Sequence, residues 1–446
     1  MQLTGLLHRI WRKKPRSAGK PREAAAAMVI AADLAANEAA LRDLFHDCTD
    51  AVFRPVRFGK SGTAEGLLVY LDVLTDARTL NLAVLRPLAQ ADLSTAAGVT
   101  AEELKRIVPV AEVSEVTEFA PAVQGILSGD AVLFVRGTPA ALVIKARGWK
   151  SRGVQKIEDE RVILGPKEGF NETVRDNIAL IRQRLKTSDL KAERFVIGEK
   201  TQTEVVLMYL ASLAGEEVVR GIREKLAAIR VDGVVNRGVI VEMLEGNILS
   251  PFPQITETER PDSAVGNLLE GRVAILIDGV PTAVLLPVVF AQLFQSPDDY
   301  YNRPLLVTAI RLVRVLGFFV ATTFPAIYVA ILTFHHEIIP PEMLVPLAQS
   351  RVGLPFSPLT ETLLMDVAVE LLREASLRLP GPVGQTIGIV GALILGDSAV
   401  RANIVSPILV VILAVSMLGS FTVPNYSASL GVRLLRFPIT IMAGFL

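Results

Sequence analysis

Cysteine is almost missing from this chain. Cys48 is the only one in 446 residues, which excludes an intramolecular disulfide framework. Histidine is nearly as scarce, and the four present, at 8, 46, 335 and 336, do not form a Cys/His zinc pattern. Neither a GxGxxG loop opening a helix after a strand nor a GxxxxGK[ST] loop occurs, so nucleotide binding has no support. The N-terminus lacks the continuous apolar core of a secretory signal, although His8–Arg16 is strongly basic. Lysine is absent beyond residue 300. Of the 46 basic residues only nine lie there, all arginine, with seven of the 46 acidic ones. The zero net charge therefore hides a division between a charged region of about 300 residues and an apolar one. Hydrophobic residues make up 51% of the whole, enough for two or three domains with adequate cores.

The first region reads as built twice. Gly66–Thr75 and Thr203–Leu210 have strand composition, and each is followed about sixty residues later by a similar sixteen-residue pattern. GDAVLFVRGTPAALVI (Gly129–Ile144) lies over GRVAILIDGVPTAVLL (Gly271–Leu286) without a gap. Gly129 matches Gly271, Gly137 matches Gly279, Pro139 matches Pro281 and Ala141 matches Ala283. Both patterns predict hairpins with turns at Arg136-Gly137 and Asp278-Gly279. Two related α/β subdomains are expected, at residues 46–150 and 191–300, after a basic tail and Ala-rich helix at 1–45. A charged helical linker at 151–190 joins them. In it, Asn171 is the expected N-cap, Ile178, Leu180, Ile181 and Leu185 share an apolar face, and the charges on the other face are expected to be solvated.

Residues 301–446 read as helical and membrane-embedded. Val315–Phe334 is uncharged for twenty residues, long enough to cross a hydrocarbon core, with a kink expected at Pro325. Arg311 and Arg314 precede it, so the positive-inside bias puts the N-terminal side in the cytoplasm. In Leu359–Leu379, Thr362, Asp366, Glu370 and Glu374 recur at four-residue intervals and form one acidic stripe, partly offset by Arg373 and Arg378. Two readings fit: an amphipathic helix lying in the interface, or a spanning helix whose carboxylates avoid lipid by facing a water-filled passage. Leu379–Gly396 is apolar and Gly-rich, and Asp397 lies within pairing distance of Arg401. The 31 uncharged residues Ala402–Val432 hold a further helix ending near Thr422 and a connector at Pro424-Asn425-Tyr426. If Leu359–Leu379 spans, then Arg311/Arg314, Arg373/Arg378 and Arg433/Arg436 share the cytoplasmic side. The chain stops at Leu446 inside an apolar run, a pattern that fits either a longer sequence or a short hydrophobic tail.

Several ordered segments carry a family resemblance: GPKEGFNETVRDNIALIRQRLKT (Gly165–Thr187), SPFPQITETERPD (Ser250–Asp262), LLEGRVAILIDG (Leu268–Gly279), QSPDDYY (Gln295–Tyr301), TFHHE (Thr333–Glu337), Leu379–Gly391, Val423–Ser427 and RLLRFP (Arg433–Pro438). Together they resemble the GerA-type A subunits of spore germinant receptors over nearly all the chain beyond residue 120. Two departures stand out. Gly165 is not preceded by the family's usual arginine, and the chain ends before the last membrane helix and cytoplasmic tail. The resemblance implies a multi-pass protein of the spore inner membrane, its large N-terminal region cytoplasmic. It implies a homo-oligomer working with a transporter-like B subunit and a lipoprotein C subunit, gated by a small nutrient and releasing monovalent cations.

The expected fold is thus a multi-domain membrane protein, with a cytoplasmic α/β N-terminal region of two related subdomains before an α-helical polytopic transmembrane domain. On physical grounds Asp366, Glu370 and Glu374 are the candidate ion path, since a ring of carboxylates attracts cations. Pro251, Phe252, Pro253, Gln254, Glu259, Arg260 and Asp262 form a stiff candidate domain-coupling loop. Val284–Phe294 is a candidate interfacial helix. No catalytic, cofactor or metal site is expected, because the Asp366/Glu370 pair has no nucleophile, metal cluster or nucleotide loop beside it. A non-conducting structural subunit, an accessory sporulation channel and a lone transporter are the rival readings. The basic tail reads most simply as a solvated terminus, with contact to anionic membrane lipid as the functional alternative, and is thin evidence for nucleic acid.

Overall fold

The computed structural model describes residues 28–445, except 61, 63, 92–100, 111, 149–159, 161, 163, 248 and 380. The basic segment at 8–16, residues 23–27 of the Ala-rich stretch, and most of 149–163 lie outside the described residues. The chain divides into two compact units. The first runs to Val162 and adds Pro166–Gly246 and Ile255–Pro287; the second holds Asn247–Gln254 and the chain from Val288 onward.

The first unit contains two five-stranded antiparallel sheets of identical topology. Strands β1 (Ala51–Phe58), β2 (Ala64–Leu71), β3 (Val113–Val116), β4 (Ala131–Val135) and β5 (Ala141–Ile144) take the order β1-β2-β4-β5-β3. Strands β6 (Leu190–Ile197), β7 (Thr203–Leu210), β8 (Thr256–Thr258), β9 (Val273–Ile277) and β10 (Ala283–Leu286) repeat it as β6-β7-β9-β10-β8. The β4–β5 and β9–β10 hairpins are those expected from the sequence match. Their paired glycines adopt matching left-handed backbones, φ +88° and +86° at Gly129 and Gly271, and +82° and +80° at Gly137 and Gly279. Only glycine takes such angles without steric cost, which explains why glycine stands at all four positions.

Both faces of each sheet are covered, so the central strands are continuously apolar instead of alternating. In β4, Val132 and Phe134 enter one core while Ala131, Leu133 and Val135 enter the opposite one. In β9, Val273, Ile275 and Ile277 face one way and Ala274 and Leu276 the other. Each buried side chain of this size contributes about 1.5–3 kcal/mol.

The repeat includes more than its sheet. Helix α1 (Leu34–Leu44) precedes the first sheet, and α2 (Phe119–Leu127) precedes the β4–β5 hairpin. Helix α3 (Val174–Arg184) precedes the second sheet, α4 (Glu216–Ala228) follows β7, and α5 (Pro261–Leu269) precedes the β9–β10 hairpin. Asn37 on α1 is buried and exchanges two hydrogen bonds with the Ala31 backbone; Asn177 on α3 does the same with Asn171. Gly137 at the first hairpin turn donates to Ala32 O, and Gly279 at the second donates to Glu172 O. The segment expected as a linker thus supplies the opening helix of the second repeat. Its N-cap is Thr173, not Asn171; the Asn171 side chain, two residues before the cap, accepts from Thr173 N.

One charge on α3 is not solvated. Arg182 is 1% exposed and grips Asp50, 3% exposed, through two 2.8 Å hydrogen bonds, while its Nη1 donates to Leu190 O at 2.9 Å. Thr49 N donates to Ala192 O, and Ala192 N donates to Asp47 O. The start of the first sheet is therefore stitched to β6 of the second, with Arg182 neutralising the one carboxylate enclosed there. Arg182→Ala would leave Asp50 buried and unpaired and should cost about 3–5 kcal/mol. Replacing both members by apolar residues of similar volume should cost much less. Denaturant unfolding of the two variants measures the difference.

In the second unit, α6 (Pro304–Thr333) runs uninterrupted through Pro325. It is followed by α7 (Pro341–Arg351), α8 (Pro358–Arg378), α9 (Gly381–Arg401), α10 (Pro407–Phe421) and α11 (Tyr426–Ala443). Among the described residues α6 alone is both long and apolar enough to cross a bilayer; α10 is apolar but has 15 residues. A polytopic set of spans is therefore not established by length and composition. The expected Val284–Phe294 helix does not form: Ala283–Leu286 is strand β10 and Phe290–Phe294 is a single 3-10 turn. Helix α6 packs on α10 and α11, and α8 packs on α9. The α6–α10 crossing is close because Gly317 meets Gly419: a Cβ at Gly419 would lie 2.5 Å from Gly317 O and 3.1 Å from Ala321 N. Gly419→Leu should force these helices apart and lower the unfolding temperature in detergent, whereas Gly266→Ala, inside helix α5 where a Cβ meets nothing within 4 Å, should not lower it and should raise it slightly.

Candidate functional site

The acidic stripe lies on α8, a helix started by Ser357, whose hydroxyl caps Thr360 N, and Pro358 in its first turn. Four-residue spacing brings Thr362, Asp366 and Glu370 to one side. Thr362 and Asp366 are fully buried, whereas the Glu374 side chain is 56% exposed and pairs with Arg378 one turn on at 2.8 Å. Arg373, expected to offset the stripe, instead stacks over Phe421, 4.9 Å from the ring centre.

The main counter-charges come from α11. Arg433 grips both oxygens of Glu370, its Nε donating to Oε1 at 3.1 Å. Arg436 Nη2 donates to Glu370 Oε1 at 3.2 Å and lies 3.2 Å from Asp366 Oδ1. The side chains of Arg436 and Asp366 are 3% and 1% exposed. Glu370 facing Arg433, Asp366 facing Arg436 and Leu359 beside Gly444 make α8 and α11 an antiparallel pair. The pairing is incomplete in hydrogen-bond terms. Both Asp366 carboxylate oxygens, Arg436 Nε and the hydroxyl of buried Thr440 lack hydrogen-bond partners. Such groups are costly in an apolar seam, and on the stripe the deficit falls on Asp366, since Thr362 donates to Pro358 O and both Glu370 oxygens accept from Arg433.

A fourth carboxylate on α8 lies outside the four-residue pattern. Glu361 is fully buried, accepts from Ser406 N at the cap of α10, and pairs with Arg351 of α7 at 2.9 Å. Arg351 also donates to Tyr328 Oη at 3.2 Å, and Tyr328 shares a hydrogen bond with Ser406 Oγ. This polar node joins α6, α7, α8 and α10. Its only sequence signal is a charge next to the stripe in a run otherwise poor in charge.

The candidate coupling loop is divided between the two units. Pro251, Phe252, Pro253 and Gln254 belong to the second. The Phe252 ring lies 5.2 Å from Phe290 and 6.2 Å from Phe318 of α6, forming part of an aromatic cluster that includes Phe294. Ser250 braces the turn by donating to Phe252 O. Gly431 of α11 packs directly on the Pro251 carbonyl; a Cβ there would lie 3.3 Å from Phe252 Cδ1 and closer still to Pro251 O. Glu259, Arg260 and Asp262 belong to the first unit. Arg260 is fully buried, bonded to Asp262 at 2.8 Å and Pro166 O at 3.1 Å, while Glu259 N donates to Glu160. Burial pushes the Glu160 carboxyl up, only partly opposed by the hydroxyl of Thr258 and the amide of Glu259.

Asp299 was not singled out from sequence beyond its place in QSPDDYY. Its carboxylate, 2% exposed, accepts from Arg311 and Arg314, both at 2.8 Å, and caps Ser296 N. The arginines expected to mark the cytoplasmic flank are thus clamped within the N-terminal part of α6.

A sequence model of the Bacillus/Clostridium GerA spore germination protein family matches residues 39–446. The chain belongs to the GerA family. It is 35% identical to Spore germination protein KA of Bacillus subtilis, over 92% of this chain and 75% of that one. It is 37% identical to Spore germination protein GerLA of Bacillus cereus, over 90% and 82%. The crystal structure of the N-terminal domain of the A subunit of the Bacillus megaterium spore germinant receptor GerK3 is 30% identical. It covers 59% of this chain and 98% of that domain, with a TM-score of 0.47. GerA membership and α6 together make this a membrane-associated germination protein and not an enzyme. Among the described residues, no group of three His, Cys, Asp or Glu side chains can hold a metal.

The Asp299 clamp predicts a pH dependence. Burial pushes this carboxyl up, but hydrogen bonds from Arg314, Arg311 and the Ser296 amide outweigh it and hold it below the ordinary 3.8. A depressed carboxyl stabilises the fold above its unfolded value, and that stability is lost as pH falls through the folded one. Between neutral pH and pH about 3, Asp299→Asn should show a shallower loss of stability than the unsubstituted GerA-family chain. Thermal unfolding in detergent across that range measures it.

Proposed function

We propose that this chain is the A subunit of a spore germinant receptor. It would oligomerise in the spore inner membrane as a nutrient-gated path for monovalent cations, beside a transporter-like B subunit and a lipoprotein C subunit. Its α/β region would lie in the cytoplasm, and several of α6–α11 would cross the bilayer together. The relatives named as spore germination proteins support the receptor role. The observation that carries the conduction reading is the placement of two carboxylates between packed helices, Asp366 fully buried and Glu370 largely so. Buried charge in such surroundings is costly to keep and is usually tied to an ion pathway or a partner. The ion path is Asp366, Glu370 and Glu374, with Thr362 completing its polar face. The loop Pro251–Gln254, and beyond it Glu259, Arg260 and Asp262, couples the α/β region to the helices.

One observation favours a second reading, a non-conducting structural subunit that scaffolds its partners. The two inner carboxylates of the stripe are balanced by Arg433 and Arg436 of the same chain, and Glu374 by Arg378. A stripe so neutralised presents no net charge to an ion.

Conductance distinguishes the two. With the assembled receptor in planar bilayers, Asp366→Asn, Glu370→Gln and Glu374→Gln should reduce cation current and weaken selectivity over anions. If all three leave both unchanged, the stripe is not the path. If assembled, nutrient-responsive receptors pass no current at all, the scaffold reading stands.

A further inference from the structure

Helix α11 carries two features that the reading above leaves unused. Its arginines occupy the positions on the acidic stripe that a passing cation would take. Arg433 holds Glu370 with two hydrogen bonds, and Arg436 reaches both Glu370 and Asp366. One and a half turns of sequence before Arg436, Gly431 rests on the Pro251 carbonyl and the Phe252 ring, with no room for a side chain. The same few residues of α11 thus meet both the stripe and the proline-stiffened loop. That loop continues through Gln254 into Ile255, the first residue of the next stretch of the α/β unit. The seam is also left incomplete: Asp366 has two buried oxygens without hydrogen-bond partners, and Arg436 Nε and Thr440 Oγ1 have none either. A pair held by charge, yet short of hydrogen bonds, is more easily separated than a fully bonded one.

We infer that α11 is the gate, with Arg433 and Arg436 acting as tethered cations that fill the acidic stripe at rest, and with Gly431 against Pro251–Phe252 setting their register. This inference rests on the conduction reading and specifies how that path is closed. A shift of the Pro251–Gln254 loop would carry α11 along the stripe, exchanging guanidinium groups for mobile cations. The charge balance that favours a scaffold then describes the closed state.

The test uses the assembled receptor in potassium-loaded liposomes, following potassium efflux first without nutrient and then with a mixture of amino acids, glucose and inosine. Arg433→Gln/Arg436→Gln should raise resting efflux roughly tenfold, within the range that coupling free energies between sites produce. Adding Asp366→Asn and Glu370→Gln to that variant should abolish the leak. Because removing buried arginines can impair folding, Gly431→Ala, which keeps every charge, is measured alongside and should also raise resting efflux. If the nutrient mixture opens the unsubstituted receptor but the arginine and Gly431 variants keep its resting rate, the gate is overturned and the channel reading survives. If no preparation passes potassium under either condition, the channel reading fails and the gate with it.

Discussion

Enclosed charge must find an opposite charge, and this requirement organises both units of the molecule. In the α/β unit it is met by Arg182 and Asp50, almost completely shielded from solvent and bonded at 2.8 Å. The pair joins the opening helix of one repeat to the residue just before the first strand of the other. In the helical unit it is met by Arg433 and Arg436 on α11 opposite Asp366 and Glu370 on α8. Isolated charges in either place would destabilise the fold by several kcal/mol, so the partner elements are held wherever the charges are. The two sites differ in completeness. Arg182 and Asp50 satisfy each other, whereas Asp366 and Arg436 touch but leave hydrogen-bonding atoms unused.

The two halves of the α/β unit follow one plan. The two sheets share one strand order, the same left-handed glycines and the same buried asparagine on the helix before each sheet. The repeats nevertheless use equivalent charges differently. Asp50 is enclosed by Arg182, while Asp189, at the matching place before β6, binds the Ser212 hydroxyl and amide at the surface. Arg42, on the helix matching α3, pairs with Glu38 in solvent and stacks over Phe53. Surface pairs of that kind contribute little. Only one repeat spends its arginine on the other.

What could be read from the sequence follows the range of the interactions involved. The hairpins were legible because their glycines, prolines and apolar runs are local, and Thr203–Leu210 is the strand β7 to the residue. Helices over Leu359–Leu379 and the two apolar runs beside it were legible for the same reason. The carboxylates on α8 could be found by spacing, but their partners could not, since Arg433 lies 63 residues from Glu370. In a sequence those arginines look like markers of a cytoplasmic flank, and the charge-bias rule has no means of saying that they turn inward. In the sequence Arg182 looks like one more solvated charge, because its partner stands 132 residues away. Glu361 fell outside the four-residue rhythm, and the loop at Pro251 gave stiffness without revealing that Gly431 lies under it.

Family membership fixes what kind of protein this is, and the helical unit supplies a physical route from a loop to a charged stripe. The central claim is that this stripe lines the axis of an assembly, closed by arginines from its own chain. The most direct measurement is a structure of the assembled receptor in lipid, solved with and without a nutrient that triggers it. The account predicts α8 around a central axis, with Arg433 and Arg436 on Glu370 and Asp366 at rest and withdrawn from them when nutrient is bound. Asp366 and Glu370 turned away from any such axis, or still paired with the same arginines in a visibly open pore, would contradict it.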